Sequence, residues 1–374
     1  MTDRERRAWA YLAAVAEPPC APLVALVEEV GSVEAAKAVR TRTVPPHYQS
    51  VLVATEARAA VDTAARDLET CDRLGARLLT RDDADWPAWQ VLGLDQAETA
   101  ARGGAPLALW VRGPESFADI SERSVALVGS RAASSYGDYV AGLLAADLCA
   151  SGWAVVSGGA YGIDGSAHRS ALAASGTTAA VLACGIDRDY PSGHAQLLRE
   201  IAQRGLVVTE YPPGTTAAKH RFLTRNRLVA ALSSAVVVVE AGRRSGAANT
   251  AAWAKRIGRP LGAVPGAVTS ATSVGTNAMI ADGDATLVAD AAAVIALAAP
   301  DGHDVRPAAP SRRTDGLLPD QLRILEALPA RGGLSVDEIA FVSGVRTQDA
   351  LRALAALDFA GLVDGSDGTW GLAR

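Results

Sequence analysis

Apolar positions follow two different rhythms along this chain, with the change at Ala105. Before it, residues 4–75 place apolar side chains at three- to four-residue spacing, over Arg7–Val15 and again over Pro22–Val30, the period of a helix with one buried face. Ser32 is positioned to cap a helix over Val33–Arg40, and helical spacing resumes over Val51–Leu74 after Pro45-Pro46. The segment 76–105 keeps no single period, and Gly103-Gly104 mark it as a connection.

Beyond Ala105 the apolar residues come in short runs that lead to glycine, Leu107–Val111 and Ser124–Val128. From there strands are expected at Val125–Val128, Ala154–Ser157, Thr178–Leu182, Leu206–Thr209, Ala235–Glu240 and Pro260–Val264. Helices are expected between them at Asp138–Ala150, Asp164–Ala174, His194–Arg204, Arg225–Leu232 and Ala247–Ile257. Strands that are apolar throughout and alternate with helices predict a parallel sheet covered on both faces, a doubly wound α/β core. Residues 299–314 read as a Pro-rich polar linker. The last sixty residues give helices over Pro319–Leu328, Ser335–Ser343 and Thr347–Ala360, then strands at Leu362-Val363 and Thr369–Leu372 joined by a turn over 365–368. That order is the order of a winged helix-turn-helix. The expected domains are therefore 1–75, helical; 76–105, connecting; 106–298, the core; 299–314, linker; and 315–374, winged helix.

Composition changes this picture little. With 374 residues, 49% apolar and 21% charged, the chain has ample material for a core and is too hydrophobic for a disordered protein. No run approaches the ~18 uninterrupted apolar residues of a membrane span, and Met1–Arg7 leads into no apolar signal segment, so a cytoplasmic protein without a membrane partner is expected. Cys20, Cys71, Cys149 and Cys184 are scattered, as are His47, His168, His194, His220 and His303; neither set has metal-ligand spacing, and no metal or cofactor is expected.

Charge is more informative. The formal net charge is -5, yet residues 1–100 carry sixteen acids against eleven bases, residues 315–374 nine against five, and 101–314 is net basic. Within 216–259, nine Lys/Arg (Lys219, Arg221, Arg225, Arg227, Arg243, Arg244, Lys255, Arg256 and Arg259) face only Glu240. A basic stretch on an acidic protein points to a polyanion partner.

In an open parallel sheet, ligands bind beyond the carboxyl ends of the strands, where four polar loops of this sequence fall. In Gly129-Ser130-Arg131, glycine permits a tight turn and Arg131 can pair a phosphate; an ordinary turn with a surface arginine reads equally well. Ser157-Gly158-Gly159-Ala160, continuing to Asp164, can converge backbone amides on an anion at a helix start, or form a tight turn capped by Asp164. It lacks the dinucleotide glycine spacing and the Walker lysine. Lys219–Arg227 combines Lys219, Arg221, Arg225 and Arg227 with Phe222 and Asn226, which suits phosphates beside a stacked base. Phe222 can equally be a core plug. Glu240–Thr250, with Ser245-Gly246, opens a further helix, and Glu240 is a conceivable general base without a recognisable catalytic partner.

These loops carry a resemblance. Gly129-Ser130-Arg131, Ser157–His168, Ala183-Cys184-Gly185-Ile186-Asp187 with Tyr190-Pro191, Glu210–Gly214, Phe222–Arg227 with Leu228–Ser233, Glu240-Ala241 with Ser245-Gly246, Pro265-Gly266 and Gly275-Thr276-Asn277 occur in the order found in the DNA-processing protein A family (DprA, also called Smf). The likeness spans roughly 106–290, and Leu223 stands where that family commonly has proline. It implies a Rossmann-like core that binds and protects single-stranded DNA, helps load a RecA-type recombinase during DNA uptake or recombination, and forms a homodimer through the core. It assigns phosphate binding to Arg131, Lys219 and Arg225, places the Ser157-Gly158-Gly159 turn beside the strand, and gives Asn226-Arg227 a role in shaping the pocket. The expected single-strand site is thus Gly129, Ser130, Arg131, Ser157, Gly158, Gly159, Ala160, Lys219, Arg221, Phe222, Arg225, Asn226, Arg227, Ser245 and Gly246, with no catalytic residue.

The winged domain is net acidic, and Thr347–Ala360 has Arg352 against Asp349 and Asp358, so it is expected to contact protein rather than read duplex DNA. Two other readings use the same loops: a nucleotide N-glycoside hydrolase with Glu240 or Glu210 as acid/base, and a nucleotide-sensing module without turnover.

Overall fold

The strands that are apolar at every position occupy the middle of a nine-stranded sheet. In the computed structural model, which describes residues 1–97, 102–243, 245–299, 314, 317–366 and 368–373, the nine strands of that sheet are β1 (Ala76–Leu79), β2 (Leu109–Arg112), β3 (Ser124–Gly129), β4 (Ala154–Ser157), β5 (Thr178–Leu182), β6 (Leu206–Thr209), β7 (Ala235–Glu240), β8 (Leu261–Ala263) and β9 (Thr286–Leu287). Their order is β1-β2-β6-β5-β4-β3-β7-β8-β9. The pairs from β6 through β9 are parallel, whereas β1–β2 and β2–β6 are antiparallel. The chain winds from β3 out to β6, then returns to the other side of β3 with β7. Neighbouring crossovers therefore leave in opposite directions at β3/β7, which opens a crevice at the carboxyl ends.

Alternation along each strand divides the core between two faces. Ala126, Val128, Val236 and Val238 pack on one side with Leu228–Leu232 and Trp253. Val125, Leu127, Val237 and Val239 face the other, against Leu144, Leu148 and Ile163. Towards the β6 side of the sheet a third cluster joins Tyr11, Leu12, Leu26 and Cys71 of the N-terminal helices to Trp110, Leu182 and Val207 of the strands. The helical N-terminus and the sheet thus share one hydrophobic core within the unit Met1–Val305.

Three local expectations are corrected. The segment expected to be a connection, 76–105, supplies β1 and the helix Ala88–Gln96. β1 is only Ala-Arg-Leu-Leu, too short to display a period, and its partnership with β2 sets its direction. The helix expected from Arg225 begins at Lys219, so the whole basic run is helical. Its first two turns carry arginines inward rather than apolar residues, which hides the helical spacing. The helical run expected over Val51–Leu74 is broken into Gln49–Thr55 and Ala64–Leu74.

The second unit, Arg306–Arg374, has helices Pro319–Ala327, Val336–Ser343 and Thr347–Phe359 and a three-stranded antiparallel sheet. Its strands are β10 (Leu334–Ser335), β11 (Val363–Ser366) and β12 (Thr369–Leu372), with β12 central. Ile324, Ile339, Leu354, Leu357 and Val363 form its core. Of the expected linker 299–314, residues 300–313 lie outside the described residues.

Trp110 is the largest fully buried side chain and lies in the cluster shared by helices and sheet. Trp110→Ala is expected to cost about 3–5 kcal/mol in denaturant unfolding. Hydrogen exchange should show helix Asp3–Val15 losing protection together with β2 and β6. Loss confined to the strands would show that the two parts do not share a core.

Candidate functional site

A cleft of about 500 Å³ lies at the β3/β7 switch, and it brings together loops after β3, β4 and β7 with the helix Lys219–Ala231. Ten of the fifteen expected site residues line it: Gly129, Ser130, Arg131, Gly158, Ala160, Phe222, Arg225, Asn226, Ser245 and Gly246. Ser157, Gly159, Lys219, Arg221 and Arg227 do not.

The glycine turn after β4 is built around Asp164, whose carboxylate accepts the backbone N–H groups of Gly158 (3.1 Å) and Ala160 (3.3 Å). The amides expected to converge on a bound anion therefore converge on a side chain of the protein. This corrects the phosphate-cradle reading of that turn: Asp164 already takes two of its donors. Burial raises the Asp164 carboxyl above its ordinary range, against the pull of the Arg225 charge. Ser157 is buried beneath the turn and donates its hydroxyl to the Leu127 carbonyl at 2.6 Å. Gly159 has φ +68°, the left-handed region open to glycine, and its carbonyl lies 3.0 Å from His194 Nδ1.

Arg225 runs beneath the same turn. Its Nη1 donates to the carbonyls of Gly158, at 2.6 Å, and of Val181. A Cβ at position 158 would stand 2.5 Å from the guanidinium, so only glycine lets the turn close over it. Only 4% exposed, Arg225 tethers helix Lys219–Ala231 to β5 and the β4 loop, and burial pulls its pKa below the usual value. The expectation that Arg225 holds a phosphate is corrected on this geometry: a guanidinium committed to two buried carbonyls is a floor beam of the cleft.

Arg227 is also corrected. It is fully buried, donating Nη2 to Glu210 at 2.7 Å and Nε to the Gly104 carbonyl at 2.9 Å, on a side of the helix that the cleft does not reach. Arg221 is held by Glu17, with Nε to Oε1 at 2.7 Å. Glu17 also accepts from Arg58 at 2.7 Å. Burial alone would raise the Glu17 carboxyl, but the hydrogen bonds from Arg221 and Arg58 outweigh it and hold the pKa at about 2. Arg221 thus joins helix Lys219–Ala231 to the segment that follows the first N-terminal helix.

The basic stretch presents fewer cations than its composition suggests. Beyond these three, Lys255 pairs with Asp284, Arg259 donates to two backbone carbonyls, and Arg244 lies outside the described residues. Lys219, the first residue of its helix, is exposed, and exposed Arg131 lines the cleft. Arg131 places its guanidinium 4.8 Å from the centre of the Phe222 ring, a cation–π contact, and Tyr190 packs on Phe222 with ring centres 5.6 Å apart. Phe222 is half-buried and lines the cleft, with Arg131 over its ring. Ser245 caps the helix Gly246–Arg256, and Asn226 donates to Asn249 at 3.2 Å, fixing the far wall.

Neither acid proposed for a hydrolase faces the cleft. Glu240 is buried and accepts from Ser134 N (2.9 Å), Ser134 Oγ (2.5 Å) and Thr272 Oγ1 (2.8 Å), while Glu210 holds Arg227. Sequence reasoning offered Asp164 as the cap in its alternative reading of the turn, and it missed Glu17 as an organiser. The Asp164 cap was legible in the turn, but the partner of Glu17 lies 204 residues away.

A family model described as DNA recombination-mediator protein A matches residues 77–299. A Mycobacterium tuberculosis protein named provisionally as DNA processing protein DprA is 50% identical over the whole of this chain and 96% of its own length. The X-ray structure of DNA processing protein A from Streptococcus pneumoniae superposes with a TM-score of 0.63 at 27% identity, covering 79% of this chain and 98% of that one. DNA processing protein A from Helicobacter pylori, described for its single-stranded DNA binding mode, gives a TM-score of 0.51 at 29% identity, covering 61% of this chain and 97% of that one.

Two outcomes test the division between buried and exposed cations. Arg227→Ala leaves Glu210 unpaired in the core and should lower unfolding stability by about 3–5 kcal/mol, whereas Arg131→Ala should stay within about 0.5 kcal/mol. For Glu17, the folded pKa of about 2 lies below the ordinary 4.5, so its stabilisation is complete above pH 4.5 and is lost as pH falls through 2. The stability gap between the native protein and Glu17→Gln should therefore be constant above that upper limit and shrink in acid. A gap that grows on acidification would contradict the assignment.

Proposed function

The chain belongs to the DNA recombination-mediator protein A family, and on that premise we propose that it binds single-stranded DNA in the β3/β7 cleft without chemical turnover. The observation that carries this reading is the Arg131–Phe222 pair in the cleft lining: an exposed cation for phosphate set against an aromatic face for an unpaired base. Lys219 extends the phosphate track at the start of the helix. The H. pylori neighbour, whose description names single-stranded DNA binding, supports the choice of ligand. The engagement of Glu240 and Glu210 in structural hydrogen bonds favours a binder over a nucleotide hydrolase. Asn226, the amide in the cleft lining, already donates to Asn249 and the Gly246 carbonyl, so sequence preference should be slight.

On this reading the protein works in the cytoplasm as a homodimer joined through its core, protecting single strands and helping to load a RecA-type recombinase in DNA uptake or recombination. We read the C-terminal unit as a winged helix that contacts protein. Arg346 and Arg352 both pair with Asp349, which leaves the helix Thr347–Phe359 poor in free positive charge and a weak reader of duplex DNA.

The test is a titration with a fluorescent ~20-nucleotide strand and its duplex at rising salt. Single strand should bind in preference to duplex. If Arg131 and Lys219 each neutralise one phosphate, they contribute about -1.4 to the slope of log K against log salt, and Arg131→Ala or Lys219→Ala should each flatten it by about 0.7. Equal binding of the duplex, or an unchanged slope in both variants, would refute the placement of the strand.

A further inference from the structure

Resting on the single-strand reading, we propose that Tyr190 is a second base-stacking position, next to Phe222, that receives a base before Phe222 does. The two rings come from different carboxyl-end segments. Tyr190 lies in the loop after β5, and Phe222 in the first turns of the helix after β6. Their centres are 5.6 Å apart and their planes tilted by 42°, so the rings present two adjoining faces and not one flat stack. Arg131 already covers Phe222, with its guanidinium carbon 4.8 Å from the ring centre. A base reaches that face only by moving the arginine aside. Among the described residues no cation covers Tyr190, which is 45% exposed.

These positions order the events. An unpaired base settles on the open Tyr190 face, and the next base along the strand displaces Arg131 from Phe222. The displaced guanidinium is then free to pair with the phosphate between or beside those bases. Stacking and charge neutralisation are thereby coupled through one side chain. Duplex DNA cannot use the device, because its bases present no free faces.

The experiment measures binding of the full chain, its Tyr190→Ala, Tyr190→Phe and Phe222→Ala variants and the Tyr190→Ala/Phe222→Ala double variant to a ~20-nucleotide strand and to an abasic strand of equal length and charge. Tyr190→Ala should weaken binding to the base-bearing strand about tenfold, with Tyr190→Phe within about twofold of the native protein. The salt slope should stay unchanged in both, since no phosphate contact is removed. On the abasic strand Tyr190→Ala should match the native protein. Native affinity for the base-bearing strand in Tyr190→Ala would overturn the proposal. So would a loss that persists on the abasic strand, or one that vanishes in the Phe222→Ala background, because Tyr190 would then only buttress the site. Failure of the native protein to bind either strand would instead refute the single-strand reading, and this proposal with it.

Discussion

A buried guanidinium holds the functional end of this protein together. Arg225 joins the helix that carries Lys219 and Phe222 to the Gly158 turn and the end of β5. The alternative, an unpaired cation in the core, is costly enough that the carbonyls must stay where they are. Asp164 completes the arrangement from the other side by gathering the Gly158 and Ala160 amides. The turn is fixed through its carbonyls by one residue and through its amides by another. Glycine at 158 is the condition for both, because any side chain would strike the guanidinium.

Buried pairing below leaves exposed cations above. Arg131 and Lys219 are exposed, and the contact between Arg131 and Phe222 is weak enough, about 0.5–1 kcal/mol for an exposed cation–π pair, to be exchanged for a phosphate and a base. The site therefore separates its charges by role. Arginines that face inward organise the loops, and those that face solvent are the ones the proposed function assigns to phosphate. Glu17 extends the organising part to the N-terminal helices, so the helix bearing Phe222 is held on its outer side as well.

Much of the core was legible because its strands are apolar at every position, which only a sheet covered on both faces requires. Val125–Val128 and Ala235–Val239 show this directly, and the glycine-bearing loops that follow them locate the cleft. β1 was not legible, since Ala76–Leu79 acquires its direction from β2 alone. The assignments of Arg221, Arg225 and Arg227 were revised for a related reason. Lys219, Arg221, Arg225 and Arg227 look alike in a sequence, and whether a guanidinium faces a carbonyl, a carboxylate or solvent depends on partners as distant as Glu17. The counted charge of 216–259 overstated the surface charge. Glu240 was misleading in the same way, its carboxylate being spent on Ser134 and Thr272.

The central claim is that a single strand lies across the carboxyl ends of β3 and β4 and the start of helix Lys219–Ala231. Hydrogen–deuterium exchange of the full chain, with and without a saturating oligothymidylate, tests it most directly. The account predicts new protection at 129–132 and 219–222, where the strand excludes water. It predicts little change at Gly158 and Ala160, whose amides are already held by Asp164. Protection confined to 315–374, or strong new protection of the Gly158 turn with none at 129–132, would contradict it.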